Sequence, residues 1–327
     1  MAGELPGYLR SPIERRLEGV SRNDLARRAA AMSERYRSGG GSRTALTSDA
    51  DITAYLVTRM PATYAATAAV LSEVARRAPG FVPATMIDAG AGPGTASFAA
   101  NAPWPALGSV TMLDASPRLL ETAATLAADS GSAALADARR LTGDMATVAM
   151  GEADLVVAAY ALAEVPAARL AATVAHLWAA TRGVLVLVEP GTPAGFERIR
   201  AARAALIAAG GEIVAPCPHA LACPIIAPDW CHFAVRLSRS RDHRLVKEAD
   251  APFEDEKYSY VAVARPGVPH DVCAARVLAP THISKAALTA KLCVDDGTIA
   301  TRTVARRDAE AFRRWRRLDW GDAVEAG

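Results

Sequence analysis

The sequence predicts an α/β protein built around a doubly wound parallel sheet. From about residue 84 to residue 209, short apolar segments alternate with helical patterns. Segments 155–160 and 184–188 are apolar throughout, as strands are when helices cover both faces of a parallel sheet. The first strand ends in a glycine-rich turn. In such folds ligands bind beyond the carboxyl ends of the strands, so we expect the functional site there.

The predicted elements follow one another along the chain. Helices are expected over residues 1–40 and 48–78, with a flexible break at 38–42 and a kink or split at Pro61. Strands are expected at 86–89, 110–114, 154–160 and 184–189, and helices at 95–101, 117–128, 166–180 and 194–209. A late strand is predicted at 258–265, and β-like runs over 274–305 with a hairpin turn at 295–297.

Composition and charge narrow the functional classes. The chain has 37 basic and 35 acidic residues and is 51% hydrophobic, which excludes wholesale disorder. No apolar run reaches the roughly 18 residues of a membrane span, and the N-terminus lacks an export-signal layout, so we expect a cytoplasmic protein without membrane contact. Residues 81–215 hold 8 basic and 12 acidic groups, a net charge of −4 between basic flanks. This distribution fits a small-molecule pocket in the acidic middle, flanked by basic surfaces that could bind a polyanion.

The glycine turn carries the first chemical signal, in the order Asp88, Gly90, Gly92, Gly94. Glycines allow positive φ and let a ligand approach the backbone, while the following helix offers free N–H groups. Asp88 is suited to an ammonium group, or alternatively to capping the next helix. No Lys-Ser/Thr pair follows, which excludes a nucleotide P-loop. Asp114 ends the next strand, 26 residues later, where it could accept both ribose hydroxyls; a dinucleotide site is the alternative.

The cysteines carry the second signal. Cys217, Cys223 and Cys231 fall within 15 residues, which in a cytosolic chain indicates metal binding or redox chemistry. Their spacings are longer than those of zinc knuckles and suit an iron–sulfur cluster held by loops. His219 and His232 keep zinc open as an alternative, and unligated buried thiols are a further one.

The first motif resembles that of Rossmann-like S-adenosylmethionine-dependent methyltransferases. Asp114 matches their acidic residue after the second strand, and Asp144 with Met145 matches the position that flanks the adenine. The resemblance implies that S-adenosylmethionine is bound by Asp88, Gly90, Gly92, Gly94, Asp114, Asp144 and Met145. The segment after the fourth strand departs from the usual acceptor motif, which leaves the catalytic residues unassigned. Tyr160 and Glu164 are weak candidates, and Glu164 alternatively is an exposed residue of the next helix.

A second resemblance covers about residues 5–322. The cysteine segment, together with residues 253–260, 59–64, 91–95 and 320–322, resembles a bacterial and mitochondrial methyltransferase-like family associated with the small ribosomal subunit. The resemblance implies a structural [4Fe–4S] cluster, with zinc as the alternative, and small-subunit 16S-type rRNA as partner. The implied cluster ligands are Cys217, Cys223, Cys231 and Cys293, whereas Cys273 lies outside the pattern.

We therefore expect a Rossmann-like methyltransferase fold in three parts. These are a helical N-terminal extension (residues 1–80), a donor-binding domain (81–265) with a cysteine-rich insertion (215–235), and a basic C-terminal module (266–327). The arginines from 302 to 317 are expected on a helix that could grip phosphates. The expected function is methyl transfer to small-subunit rRNA by a monomer. A non-catalytic assembly factor and a small-molecule methyltransferase are the alternatives.

Overall fold

The computed structural model describes residues 4–37 and 46–325, and the predicted flexible break at 38–42 lies outside them. The N-terminal extension forms helices α1 (Gly7–Arg15), α2 (Arg22–Arg37), α3 (Asp49–Thr58) and α4 (Met60–Arg77). Ser48 caps α3 in a reciprocal pair with Asp51, because each residue accepts a hydrogen bond from the backbone of the other. The predicted split at Pro61 is confirmed: α3 ends just before Arg59, and Pro61 occupies the first turn of α4, where no N–H is needed.

Residues 81–265, predicted to form the donor-binding domain, follow the predicted alternation of strands and helices. Its strands are β1 (Thr85–Ala89), β2 (Ser109–Asp114), β3 (Arg139–Thr142), β4 (Ala153–Ala159), β5 (Thr181–Pro190), β6 (Glu212–Ala215), β7 (Phe233–Ser238) and β8 (Phe253–Ala264). Its helices are α5 (Thr95–Ala100), α6 (Pro117–Ala127), α7 (Ala133–Ala136), α8 (Ala167–Ala179), α9 (Pro193–Ala208) and α10 (Arg241–Lys247), with a 3-10 turn at Leu162–Glu164.

The sheet order is β3-β2-β1-β4-β5-β8-β6, with β7 also paired to β8. Strands β1 to β5 are mutually parallel, whereas β8 runs antiparallel to β5, β6 and β7. The order reverses between β1 and β4, as expected of a doubly wound sheet. The predicted Rossmann-like fold is therefore confirmed, with the addition of an antiparallel edge.

Alternate residues of the central strands pack on opposite faces of the sheet. In β5, Val184, Val186 and Val188 belong to the core beneath the N-terminal extension, α5 and α6. Leu185 and Leu187 belong to the core beneath α8 and α9. This burial on both faces explains why residues 184–188 of the strand are all apolar.

The C-terminal module contains a second sheet. Its strands are β9 (Ala275–Val277), β10 (His282–Ile283), β11 (Ala287–Val294), β12 (Ile299–Ala305) and β13 (Ala323–Val324), and helix α11 (Ala309–Trp315) packs on it. The predicted hairpin at 295–297 is confirmed, because Cys293 pairs with Ile299 across it. The predicted basic helix is wrong in extent: Arg302 lies in β12, and of the predicted arginines only Arg313 and Arg314 lie within α11.

Arg276 joins the C-terminal module to the rest of the molecule. Its side chain is only 2% exposed. Nε donates to the carbonyl of Pro216 at 2.7 Å, and Nη1 donates to Gly321 O at 2.9 Å and pairs with Glu73 of α4 at 2.8 Å. A buried charge with these partners holds three parts of the chain in register.

Within the described ranges, no helix is both long and apolar enough to cross a membrane.

Candidate ligand cleft and cysteine cavity

A cleft of about 1060 Å³ opens at the carboxyl ends of the parallel strands, where the strand order reverses. The ends of β1, β2, β4 and β5 line one side, and residues of α2, α3 and α4 line the other. The cleft brings together most of the predicted site residues: Asp88, Gly90, Gly92, Asp114, Asp144, Met145, Tyr160 and Glu164. These residues come from four strand ends, so the fold assembles them as the sequence predicted.

The three glycines of the turn all have positive φ, at +76° for Gly90, +53° for Gly92 and +88° for Gly94. A Cβ on Gly90 would lie 2.5 Å from the Cβ of Ala161, whereas a Cβ on Gly92 would meet nothing within 4 Å. Gly94 does not line the cleft. It lies at the start of α5, where a Cβ would press against the ring of Phe98 at 3.0 Å. Glycine at position 90 therefore avoids a clash with Ala161, and glycine at position 94 avoids one with Phe98. Gly92 leaves the cleft surface open.

Asp88 is almost completely buried behind the glycine turn, at 1% exposure. Its Oδ2 accepts hydrogen bonds from the backbone N and the Oγ of Ser97, at 2.9 and 2.8 Å. Ser97 lies in the first turn of α5, so the alternative role of a helix-capping acid is present in the structure. Burial raises the pKa of Asp88 to about 6, against the opposing hydrogen bonds from Ser97.

Asp114 ties the end of β2 to the glycine turn. Its Oδ2 accepts from the backbone N of Gly92 and its Oδ1 from that of Ser116, each at 2.8 Å. The carboxylate is thus fixed at the cleft wall, directly beside the glycine with an open Cβ direction.

Asp144 and Met145 form the next part of the wall. Asp144 accepts from the backbone N of Ala146 at 2.9 Å and pairs with Arg169 at 3.2 Å. Met145 is nearly buried, and its sulfur lies 3.7 Å from the position a Cβ on Gly90 would occupy. The thioether therefore lies beside the first glycine of the turn.

Tyr160 has a strained backbone at the end of β4. Its φ is +58°, a left-handed value uncommon for a non-glycine residue and often found at functional sites. Its hydroxyl donates to Oε1 of Glu256 at 3.0 Å, and Nη2 of Arg59 lies 3.4 Å from the same oxygen. Burial and the nearby Glu256 carboxylate raise the pKa of Tyr160 well above its usual value. The hydroxyl is therefore a hydrogen-bond donor to Glu256, and Arg59 brings the N-terminal extension into this contact.

Glu164 is exposed, in the 3-10 turn between β4 and α8 rather than in α8 itself. Glu189, which the sequence did not mark as a site residue, is a fully buried carboxylate at the end of β5. Its Oε1 accepts from the backbone N of Ala163 at 3.3 Å, and its Oε2 lies 3.5 Å from Arg198, which lines the cleft. Burial raises the pKa of Glu189 to about 7, with Arg198 acting in the opposite direction. The sequence signal that could have indicated Glu189 is its position as a single acid directly after the apolar run 184–188.

A second, smaller cavity is lined by four cysteines, Cys217, Cys223, Cys231 and Cys293. The three cysteines of the insertion thus meet a cysteine from the C-terminal module, while Cys273 is buried outside this cavity. None of the five forms a disulfide. In residues 4–37 and 46–325, no group of three or more His, Cys, Asp or Glu side chains is placed to hold a single metal ion. The predicted iron–sulfur or zinc site stays a prediction.

Cationic and donor groups share this cavity with the cysteines. Arg203 and Arg276 line it and are almost completely buried. Nε of Arg203 and Nη2 of Arg276 have no hydrogen-bond partner among the described residues. Nε2 of His219 lies 3.4 Å from Sγ of Cys293. Buried donors without partners are energetically unfavourable, so this lining suits an anionic occupant.

Comparisons with known proteins place the chain in a family. The human mitochondrial ribosome assembly protein METTL17 is 30% identical over 290 residues, which cover 83% of this chain and 61% of that protein. This chain therefore spans less than two thirds of the human protein's length.

Solved methyltransferase structures are more distant. The magnesium protoporphyrin IX methyltransferase of Synechocystis with bound S-adenosylmethionine is 16% identical, with a TM-score of 0.41 over 62% of this chain and 80% of that one. A TehB-like S-adenosylmethionine-dependent methyltransferase of Corynebacterium glutamicum is 16% identical, with a TM-score of 0.37 over 61% of this chain and 86% of that one. The fold assignment therefore rests on the strand order described above.

The profile of the family described as mitochondrial small ribosomal subunit Rsm22 matches residues 49–325, which is most of the chain. The match includes the donor-binding domain and nearly all of the C-terminal module. The chain therefore belongs to the Rsm22 family.

Proposed function

We propose that this chain binds S-adenosylmethionine in the cleft and acts on small-subunit ribosomal RNA during ribosome assembly, as a methyltransferase-like protein. The observation that carries the proposal is the convergence at one strand-end cleft of an open glycine turn, the Asp114 carboxylate and the Asp144–Met145 wall. Family membership supplies the ribosomal context.

The residues of the cleft fit this donor. The Gly92 backbone leaves room beside Asp114, and a carboxylate, which has about four acceptor positions, is suited to accept the hydroxyls of a ribose. Met145 offers an apolar surface for an adenine ring. Bound S-adenosylmethionine supplies an electrophilic methyl group, and the part left to the protein is alignment of donor and acceptor.

A non-catalytic assembly factor is the second candidate, and one observation favours it. Tyr160 stands where a methyltransferase acceptor motif is expected, but its hydroxyl donates to Glu256, which also pairs with Arg59. Glu164, the other weak catalytic candidate, is exposed. In this version of the proposal, donor binding stabilises the fold and the chain contributes surfaces for assembly.

We further propose that Cys217, Cys223, Cys231 and Cys293 hold a [4Fe–4S] cluster. Four thiols from the insertion and the C-terminal module line one cavity, an arrangement that suits an anionic cluster held by four cysteines. The unpartnered donors of Arg203 and Arg276 would then face its charge. The cluster's role would be structural, because it would tie the insertion to the C-terminal module.

The partner surface is proposed to include the exposed arginines of the C-terminal module. The guanidinium groups of Arg302 and Arg306 lie over the rings of Trp315 and Phe312, at 5.8 and 4.9 Å from their centroids. Arginines held in this way can contact phosphates. A monomeric state and a cytoplasmic location remain predictions; the related human protein is mitochondrial by name.

Three measurements test the proposal. Calorimetry should detect S-adenosylhomocysteine binding to the purified chain. Co-sedimentation should show salt-sensitive association with small ribosomal subunits, since phosphate contacts weaken as salt rises. Mapping of methylated nucleotides in rRNA from a deletion strain separates the two versions: a missing methyl group supports catalysis, and an unchanged pattern with defective assembly supports the non-catalytic role. Absence of ribosome association at low salt would contradict both.

A further inference from the structure

We propose that Thr67 of the N-terminal extension, together with Thr95 after the glycine turn, binds the carboxylate at the amino-acid end of the donor. This inference rests on the proposed donor binding and deepens it. It makes the N-terminal extension part of the ligand site rather than only a cover for the sheet.

The hydroxyl of Thr67 departs from the behaviour of the other helical threonines. Six of the eight threonines in the described α-helices donate to the carbonyl four residues earlier: Thr53, Thr58, Thr63, Thr122, Thr125 and Thr173. This bond is the usual local solution for a buried threonine in a helix. Thr67 lies in mid-helix and is 0% exposed, yet its Oγ1 has no partner among the described residues. The side chain of Thr67 therefore adopts a rotamer that does not make the available hydrogen bond to the carbonyl four residues earlier.

Thr95 is the other helical threonine whose hydroxyl is unsatisfied. It is the first residue of α5, also buried, and its Oγ1 likewise has no partner among the described residues. An unsatisfied buried hydroxyl is energetically unfavourable, so two on neighbouring helices that line the same cleft call for an explanation. Both residues line the cleft, and α4 packs against α5, which brings the two walls together beside the glycine turn.

The cleft chemistry at these positions favours an anionic acceptor of hydrogen bonds. Two hydroxyl donors from two elements suit the two oxygens of a carboxylate. Arg59, on the same helical stripe as Thr63 and Thr67 at intervals of four residues, also lines the cleft, where it pairs with Glu256. Asp114, the proposed ribose ligand, stands on the β2 side of the glycine turn and α5 on its other side. The amino-acid end of the donor would therefore point toward α4 and α5.

The test is calorimetry of the full chain with two ligands that differ at one group. The ligands are S-adenosylhomocysteine and its decarboxylated analogue, which retains the ammonium group. We expect Thr67→Val, and Thr95→Val likewise, to weaken binding of S-adenosylhomocysteine by roughly tenfold to a hundredfold, the range for a hydrogen bond to a charged group. Affinity for the decarboxylated analogue should stay within about twofold of the wild type. Thr67→Ser, which keeps the hydroxyl, should retain most of the wild-type affinity for S-adenosylhomocysteine.

The matched control is Thr58→Val, which removes a hydroxyl that does bond to its helix. It should leave both affinities unchanged, because Thr58 does not line the cleft. If the wild type binds neither ligand, the proposed donor binding is wrong. If the wild type binds S-adenosylhomocysteine but Thr67→Val and Thr95→Val bind it equally well, or lose affinity for both ligands alike, the carboxylate assignment is wrong while donor binding stands. Thermal unfolding of each variant checks that the isosteric change leaves the fold intact.

Discussion

Alanine at Gly90 and alanine at Gly92 should have opposite principal effects, although the glycines are two residues apart. Both have positive φ, a conformation that costs an L-residue about 1–2 kcal/mol. At Gly90 the new Cβ would also lie 2.5 Å from the Cβ of Ala161, which adds about 1–3 kcal/mol of overpacking. The expected loss in the free energy of unfolding is therefore about 2–5 kcal/mol for Gly90→Ala and about 1–2 kcal/mol for Gly92→Ala.

Ligand affinity should follow the opposite order: Gly92→Ala, the less destabilised variant, should show binding loss as its main effect. A Cβ at Gly92 meets no protein atom within 4 Å, so it projects into space that the proposed ligand needs. Gly92→Ala should therefore abolish or strongly weaken binding of S-adenosylhomocysteine while the protein remains folded. The assays are urea unfolding for stability and calorimetry for affinity. Full affinity in Gly92→Ala would refute the assignment of this turn to the ligand, and equal stability of the two variants would refute the packing argument.

Three further outcomes follow from buried charges. Burial raises the pKa of Asp88 to about 6, so protonated Asp88 stabilises the fold at low pH, and this contribution is lost as pH rises from about 4 to 6. Asp88→Asn should therefore remove this decrease in the free energy of unfolding, measured by urea unfolding across that pH range. The same pH dependence in Asp88→Asn would contradict the assignment. Arg276→Met should lower the free energy of unfolding by about 1–3 kcal/mol and make the C-terminal module sensitive to limited proteolysis, because the carbonyl of Pro216 loses its buried donor while Glu73 keeps Arg76 and Arg77 as partners; wild-type protease resistance would count against the role of Arg276. Arg203→Gln should lower iron retention in anaerobically purified protein relative to Arg198→Gln, a control on the same helix that does not line the cysteine cavity, whereas equal iron content in both would show that Arg203 does not face the proposed cluster.

The elements that could be predicted from the sequence are those with a local signal. Strand β5 is apolar at successive positions because both faces are buried, and the turn from β1 to α5 is marked by its glycines. Strand β3 was missed because it lies at the sheet edge with exposed arginines and has no apolar pattern. Strands β6 and β7 were missed because their pairing with β8 depends on long-range contacts.

The residues of the candidate site also divide into those with a local sequence signal and those without one. Asp114 could be predicted because it ends a strand, and strand ends meet at one edge of a parallel sheet. Cys293 joined the other cysteines only through the family resemblance, since spacing alone does not bring a residue of β11 to the insertion. Gly94 proved to be a packing glycine. Neither Glu189 nor the unsatisfied hydroxyl of Thr67 could be predicted, because burial and missing partners are properties of the folded molecule.

The most direct test of donor binding is titration calorimetry of the full chain against S-adenosylhomocysteine, with Asp114→Asn as the paired variant. We predict saturable binding at one site, and a loss of at least tenfold in affinity when the carboxylate that faces Gly92 becomes an amide. Absence of binding by the wild type, or binding that the Asp114 substitution leaves unchanged, would contradict the account.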